Sequence, residues 1–173
     1  MDRGTGGSLP TSPSRGSAPP PPPPPPNQTI ITPEMRIKIL NGQRVGTSNR
    51  VIGGHSPNIN NANPRYAVET IQRFPDGTAR VRFVTQFPDG SVSRIKTSTI
   101  FPQNWSDTKI INSVTRVGNT QPIGVRAHDG AKIYRATIDG VQIEVIKIGN
   151  NVTSAYPTGG GATGLPAGFV PIH

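Results

Sequence analysis

The chain has 173 residues, among them 20 glycines and 20 prolines, with 32% hydrophobic and 5% aromatic residues, so part of it lies outside any packed core and no apolar run reaches the ~18 residues of a membrane span. Lys and Arg number 18 against 9 Asp and Glu, a net charge of +9, which points to a negatively charged partner or substrate. Cysteine is absent and the histidines are His55, His128 and His173; disulfides, thiolate zinc sites and cysteine nucleophiles are excluded, and no metal site or cofactor is expected.

The length fits one domain of roughly 140 residues behind a leader. Residues 1–30 are rich in Gly, Ser, Thr and Pro and end near eight consecutive prolines, Pro19 to Pro26. They predict a disordered leader followed by an extended polyproline spacer, with the domain spanning 31–173. The N-terminus MDRGTGGSLP has no apolar core of a secretory signal. Thr32-Pro33-Glu34 is a helix start, with Thr as N-cap, Pro in the first turn and an acid at the positive end of the dipole; the helix runs over 33–41 and Gly42 closes it. A glycine-studded loop follows over 42–63 and contains Gly53-Gly54-His55.

From Arg65 the period changes to two. Tyr66 to Phe74, Thr78 to Phe87 and Ser91 to Ile100 read as a three-stranded meander joined by two copies of Phe-Pro-Asp-Gly. Ser106 caps a second helix through about Val117, with Ile110, Ile111, Val114 and Val117 on one face. A second antiparallel group covers Lys132 to Ile138, Val141 to Ile148 and Val152 to Tyr156, and the Gly-rich tail from Thr158 is expected to be ordered only in part. The fold class is α+β: two antiparallel β-sheets with a few short helices flanking a cleft.

Few residues are placed for chemistry. Asp76, Asp89 and Asp139 sit in hairpin turns, where aspartate is a turn former, and no nucleophile elbow, P-loop or dinucleotide fingerprint occurs. There remain His55 in its glycine loop, Arg94 and Lys96 two apart on one strand, and the strand ending Thr153-Ser154-Ala155-Tyr156-Pro157. These groups suit cleavage of RNA by its own 2′-hydroxyl, which needs a base, an acid for the leaving oxygen and a cation for the developing charge. Trp105 belongs to the core, His128 is a solvated turn residue, and Arg80 and Arg82 form an exposed face.

The run Ile39-Leu40-Asn41-Gly42, then Gly53-Gly54-His55, Lys96 before Ser98-Thr99-Ile100-Phe101-Pro102, Trp105-Ser106, and Ser154-Ala155-Tyr156-Pro157 resembles the bacterial EndoU endoribonucleases, relatives of the animal EndoU enzymes and the nidoviral uridylate-specific endoribonuclease. The resemblance covers about residues 33 to 157. It implies catalytic roles for His55 and Lys96, with Tyr156 packing on the nucleoside, Ser154 contacting the uracil edge, and Ser98 as its neighbour; Thr153 and Arg94 adjoin these positions as substrate-binding residues. The family's second histidine falls on Lys38.

Bacterial members are commonly C-terminal toxin domains of polymorphic and contact-dependent inhibition proteins. The resemblance therefore implies a secreted or delivered effector that cuts RNA, transfer RNA among the candidate substrates, in the cytoplasm of a target cell, at uridine or another pyrimidine, leaving 2′,3′-cyclic phosphate ends. It also implies a cognate immunity protein, most simply an acidic one. The lysine at position 38 leaves two readings open: an active nuclease, or an inactive RNA-binding module that retains the fold.

Overall fold

The computed structural model describes residues 18–22 and 28–172; the expectations for most of the leader and for half of the polyproline run, with His173, lie outside the described residues. Helix α1 (Pro33–Asn41) begins as its sequence dictates: Thr32 is extended and its hydroxyl accepts the Met35 N–H at 3.2 Å. A helix this short is marginal alone, and its last carbonyls need partners. The Gly53–Ser56 loop provides them. The N–H groups of Gly54, His55 and Ser56 donate to the carbonyls of Lys38, Ile39 and Leu40 at 2.9, 2.8 and 3.0 Å, and the Tyr66 hydroxyl donates to that of Asn41.

Strands β1 (Gln43–Arg44) and β2 (Val51–Ile52) form a two-stranded ribbon within the stretch expected to be loop. Strands β3 (Tyr66–Arg73), β4 (Ala79–Thr85) and β5 (Lys96–Ile100) form the expected meander in that order. Its first two connections begin with the same turn, Asp76 and Asp89 each accepting the N–H and hydroxyl of the residue two positions on. The third strand is shorter than its sequence predicts. Arg94 turns its N–H to the Asn49 carbonyl at 2.7 Å instead of to β4, so Ser91 to Ile95 leave the sheet after one bridge, Gln86 to Val92. Arg94 therefore lies outside the strand that carries Lys96.

Helix α2 (Asp107–Gly118), with the Ser106 hydroxyl accepting the Lys109 N–H, packs Ile110, Val114 and Val117 against one face of a five-stranded antiparallel sheet. That sheet has the order β10-β6-β7-β8-β9, with β6 (Gly124–Arg126), β7 (Lys132–Ile138), β8 (Val141–Ile148), β9 (Asn151–Pro157) and β10 (Phe169–Pro171). Trp105 is buried in the same core and stacks on Phe101. The tail departs from expectation: it is ordered, and closes the sheet's far edge as β10. Gln142 accepts from the Thr158 hydroxyl and the Ala162 N–H, Arg135 donates to the Gly164 carbonyl, and Phe169 is buried under the Arg126 guanidinium. Polar anchors on the strands do for this segment what apolar periodicity would otherwise do, which is why composition alone hid its order.

At the N-terminal side Gln28 to Ile30 are tied to the sheet and to the end of α2. Ile30 bridges Asn151, and the buried Lys147 ammonium donates to Gln28, Thr29 and Gly118. Among the described residues no helix is long and apolar enough to cross a membrane. Strands β5 and β9 are edges of their sheets and approach each other. The gap between these edges is the cleft.

Candidate active site

Two glycines let the His55 loop reach α1. Gly53 has φ +77°, and a Cβ there would sit 2.0 Å from the Lys38 carbonyl oxygen; Gly54 has φ +84°, and its Cβ would press on the Phe83 ring. Any side chain at position 53 is thus both strained and obstructed. His55 itself is fixed at both backbone groups, its N–H on Ile39 and its carbonyl accepting the Phe101 N–H at 2.8 Å. The next residue, Ser56, is fully buried and donates to the Asp107 carboxylate at 2.7 Å, tying the loop to the first turn of α2.

The His55 imidazole has a defined tautomer. Its Nδ1 lies 2.8 Å from the Thr99 carbonyl oxygen and 2.9 Å from Ser98 Oγ, whose own hydrogen goes to the Gly54 carbonyl at 2.6 Å. A carbonyl can only accept, so Nδ1 carries the proton and Nε2 keeps a lone pair. Burial pushes the His55 pKa down to about 4, against the Thr99 carbonyl and with help from the Lys96 and Lys38 charges. At neutral pH the ring is an uncharged acceptor at Nε2, the form a general base requires.

Lys96 opens β5, and Ser98 lies two positions on, on the same face of the strand. Burial, then the Arg50 charge, holds its ammonium below the ordinary lysine value. Lys38 reaches from α1 to the Thr153 carbonyl, and burial followed by the Lys96 charge lowers its pKa too. That carbonyl is free because β9 has a bulge. Ile146 pairs with Ser154 and Lys147 with Val152, leaving Thr153 as the extra residue. The bulge also sets Val152 and Ala155 into the core while Ser154 and Tyr156 face away from it.

His55, Lys38, Lys96, Ser98, Ser154 and Tyr156 line one pocket of about 420 Å³ between β5 and β9, and no Asp or Glu lines it. An anion entering it meets two ammonium groups and no competing carboxylate. A domain model for "Bacterial EndoU nuclease" matches residues 32–159, which span every one of these side chains. The chain belongs to the bacterial EndoU nucleases. No curated protein and no solved structure matches it. EndoU nucleases are endoribonucleases, so the chain is an endoribonuclease and its substrate is RNA.

Two expected residues, Thr153 and Arg94, stand outside the pocket's lining. Thr153 contributes its backbone carbonyl to Lys38, while its hydroxyl bonds back to Ile146. Arg94 lines the neighbouring groove beyond Lys96. His128 is largely exposed in the β6–β7 turn, beside Asp129 and three strands away from β9. Among the described residues no group of three His, Cys, Asp or Glu gathers at one place.

The residue that sequence reasoning misses lies behind the pocket lining, where Glu144 backs Tyr156. It is 4% exposed, accepts the Tyr156 hydroxyl at 2.8 Å, and is held by the Arg135 guanidinium. Arg135, Glu144 and Tyr156 are cross-strand neighbours on β7, β8 and β9. Burial first, then the Glu144 bond and charge, raises the Tyr156 pKa. Its phenolic proton is therefore committed to Glu144, and what Tyr156 offers the pocket is its ring, 6.1 Å from that of His55.

Proposed function

We propose that the domain cuts RNA at uridine or another pyrimidine by intramolecular transfer, without a metal ion. His55 Nε2 takes the proton of the 2′-hydroxyl; the freed oxygen attacks the adjacent phosphorus; the bond to the 5′-oxygen breaks, and that oxygen receives a proton from the Lys38 ammonium. Lys96 stabilises the extra negative charge of the pentavalent phosphorus. The products are a 2′,3′-cyclic phosphate and a 5′-hydroxyl. Ser154 reads the base edge and the Tyr156 ring packs against the nucleoside. The observation that carries this reading is a neutral imidazole whose Nε2 has no partner among the described residues, sharing one pocket that no Asp or Glu lines with two lysines of depressed pKa.

The lysine in the second histidine's place favours activity over an inert module, because a lowered ammonium pKa makes a better proton donor than an ordinary lysine. The cellular reading is a delivered toxin domain acting in a target cell's cytoplasm, with the proline-rich run as spacer and transfer RNA among its substrates. A cell that makes it needs an inhibitor, most simply an acidic protein that covers the Lys38, Lys96 and His55 mouth.

The test is cleavage of a uridine-containing RNA, with and without chelator, by the wild type, His55→Ala and Lys38→His. Cyclic-phosphate ends are expected in either medium, with a loss of roughly 10² to 10⁴-fold in His55→Ala. A wild type that binds the RNA but never cuts it overturns the cleavage mechanism and leaves the binding module.

A further inference from the structure

A second groove continues from the active site past Lys96. It encloses about 340 Å³, is lined by Arg50, Val51, Arg94 and Ile95, and shares Ile52, Lys96 and Thr97 with the catalytic pocket. The backbone brings its two arginines together: the Arg94 N–H donates to the carbonyl of Asn49, the residue before Arg50.

The nearby Arg44 shows what a structural arginine looks like here. Its guanidinium bonds the Ser48 and Thr47 carbonyls, the Asp89 carboxylate and the Ser91 hydroxyl, and lies 4.2 Å over the Phe87 ring. Arg44 thereby fixes the loop that carries Arg50. By contrast, among the described residues the guanidinium groups of Arg50 and Arg94 have no hydrogen-bond or ion-pair partner, and no Asp or Glu lines the groove. Three like charges around one concavity repel, and an anion among them removes that cost.

We propose that Arg50 and Arg94 form a subsite for the phosphodiester next to the one being cleaved, a proposal that rests on the RNA-cleaving reading above. Continuity with the catalytic pocket through Lys96 favours a nucleic-acid strand as occupant, since one chain then places successive phosphates in successive basic sites. Two guanidinium groups suit a phosphate, which each can grip through paired N–H donors. Ile95, 70% exposed between Arg94 and Lys96, gives the flanking base an apolar surface.

The experiment measures binding of a short oligonucleotide with a single uridine made 2′-deoxy, so that it cannot be cut, to the wild type, Arg50→Gln, Arg50→Lys and Arg50→Gln/Arg94→Gln over about 50 to 200 mM salt. The double variant is expected to lose about 0.7 from the slope of log affinity against log salt, the value for one single-strand phosphate no longer neutralised. Arg50→Lys keeps more of the slope than Arg50→Gln, and a dinucleotide with one phosphodiester is weakened far less than the oligonucleotide. A double variant with wild-type slope and affinity overturns the subsite, as does a wild type that does not bind the oligonucleotide. The all-ribose oligonucleotide judges the parent reading separately: no cleavage with a reduced slope removes the nuclease and leaves the subsite, whereas cleavage with an unchanged slope removes the subsite alone.

Discussion

His55, Lys38 and Lys96 in the pocket all titrate below the free amino acids, and the pH dependence follows. In the proposed reaction His55 must be neutral to accept a proton, and burial pushes its pKa down to about 4; the acid limb of kcat/KM is expected near pH 4, well below the ~6.5 of an ordinary histidine. Lys38 and Lys96 must stay protonated, and both are lowered, so the alkaline limb falls below the ~10.4 of a free lysine. A pH–rate profile whose acid limb sits at the ordinary histidine value would show that burial does not depress the base as this geometry requires, and His55→Ala, which must then abolish that limb, decides whether the base is this imidazole. Stability responds with the same sign. Because the folded pKa is below the unfolded one, the unfolded chain binds the extra proton. The contribution is complete above about 6.5 and is lost as pH falls towards about 4, by up to about 3 kcal/mol. Tyr156 separates ring from hydroxyl: Tyr156→Phe, which keeps the ring and leaves Glu144 its Arg135 bonds, should cost under ~10-fold in kcat/KM, and Tyr156→Ala clearly more.

At the scale of elements, α1 and the Gly53–Ser56 loop are one unit, since the loop's N–H groups cap the helix's carbonyls. Gly53→Ala places a methyl against the Lys38 carbonyl at a backbone angle that L-residues avoid; an expected loss of roughly 2 kcal/mol or more should appear as a lower urea midpoint, with cleavage falling because His55 and Lys38 sit on either side of the clash. A midpoint equal to wild type would contradict the docking. How much of this was legible in the sequence depends on whether the determinant was local. The start of α1 was, in Thr32-Pro33-Glu34, and so were the hairpins, in the repeated Phe-Pro-Asp-Gly and in Asp139-Gly140, both at positive φ. The loss of Ser91 to Ile95 from β5 was not, because it depends on Asn49, which is distant in sequence. The Thr153 bulge shifts the alternation of β9 by one residue, and a period-two reading has no way to place it. The residues lining the pocket were marked by motif, but Glu144 and Arg135 carry no motif. In Val141 to Ile148 a glutamate between Ile143 and Val145 reads as outward-facing, and only the tail packed over that face makes it buried.

Across the whole molecule, that tail ties the sheet's far edge to the candidate site. Helix α2 covers one face of the five-stranded sheet, and on the other Phe169, Leu165 and Ile146 cluster with Tyr156. Arg135 joins the parts: it donates to the Gly164 carbonyl in the tail and to Glu144, which receives the Tyr156 hydroxyl at the pocket. Arg135→Ala releases the tail and strips a carboxylate that is 4% exposed of its cation, a change that costs about 3 to 5 kcal/mol for a buried pair broken from one side. Arg135→Met with Glu144→Gln keeps a hydrogen-bond acceptor for Tyr156 while removing both charges, and should recover much of that loss in urea unfolding. Activity is expected to divide differently. The double variant regains stability yet lacks the bond to Gly164, so if the tail's hold on the Tyr156 face sets the pocket's shape, kcat/KM stays below wild type. Full recovery of both would mean that Arg135 matters only as the counter-ion of Glu144 and that the tail is a passive cover.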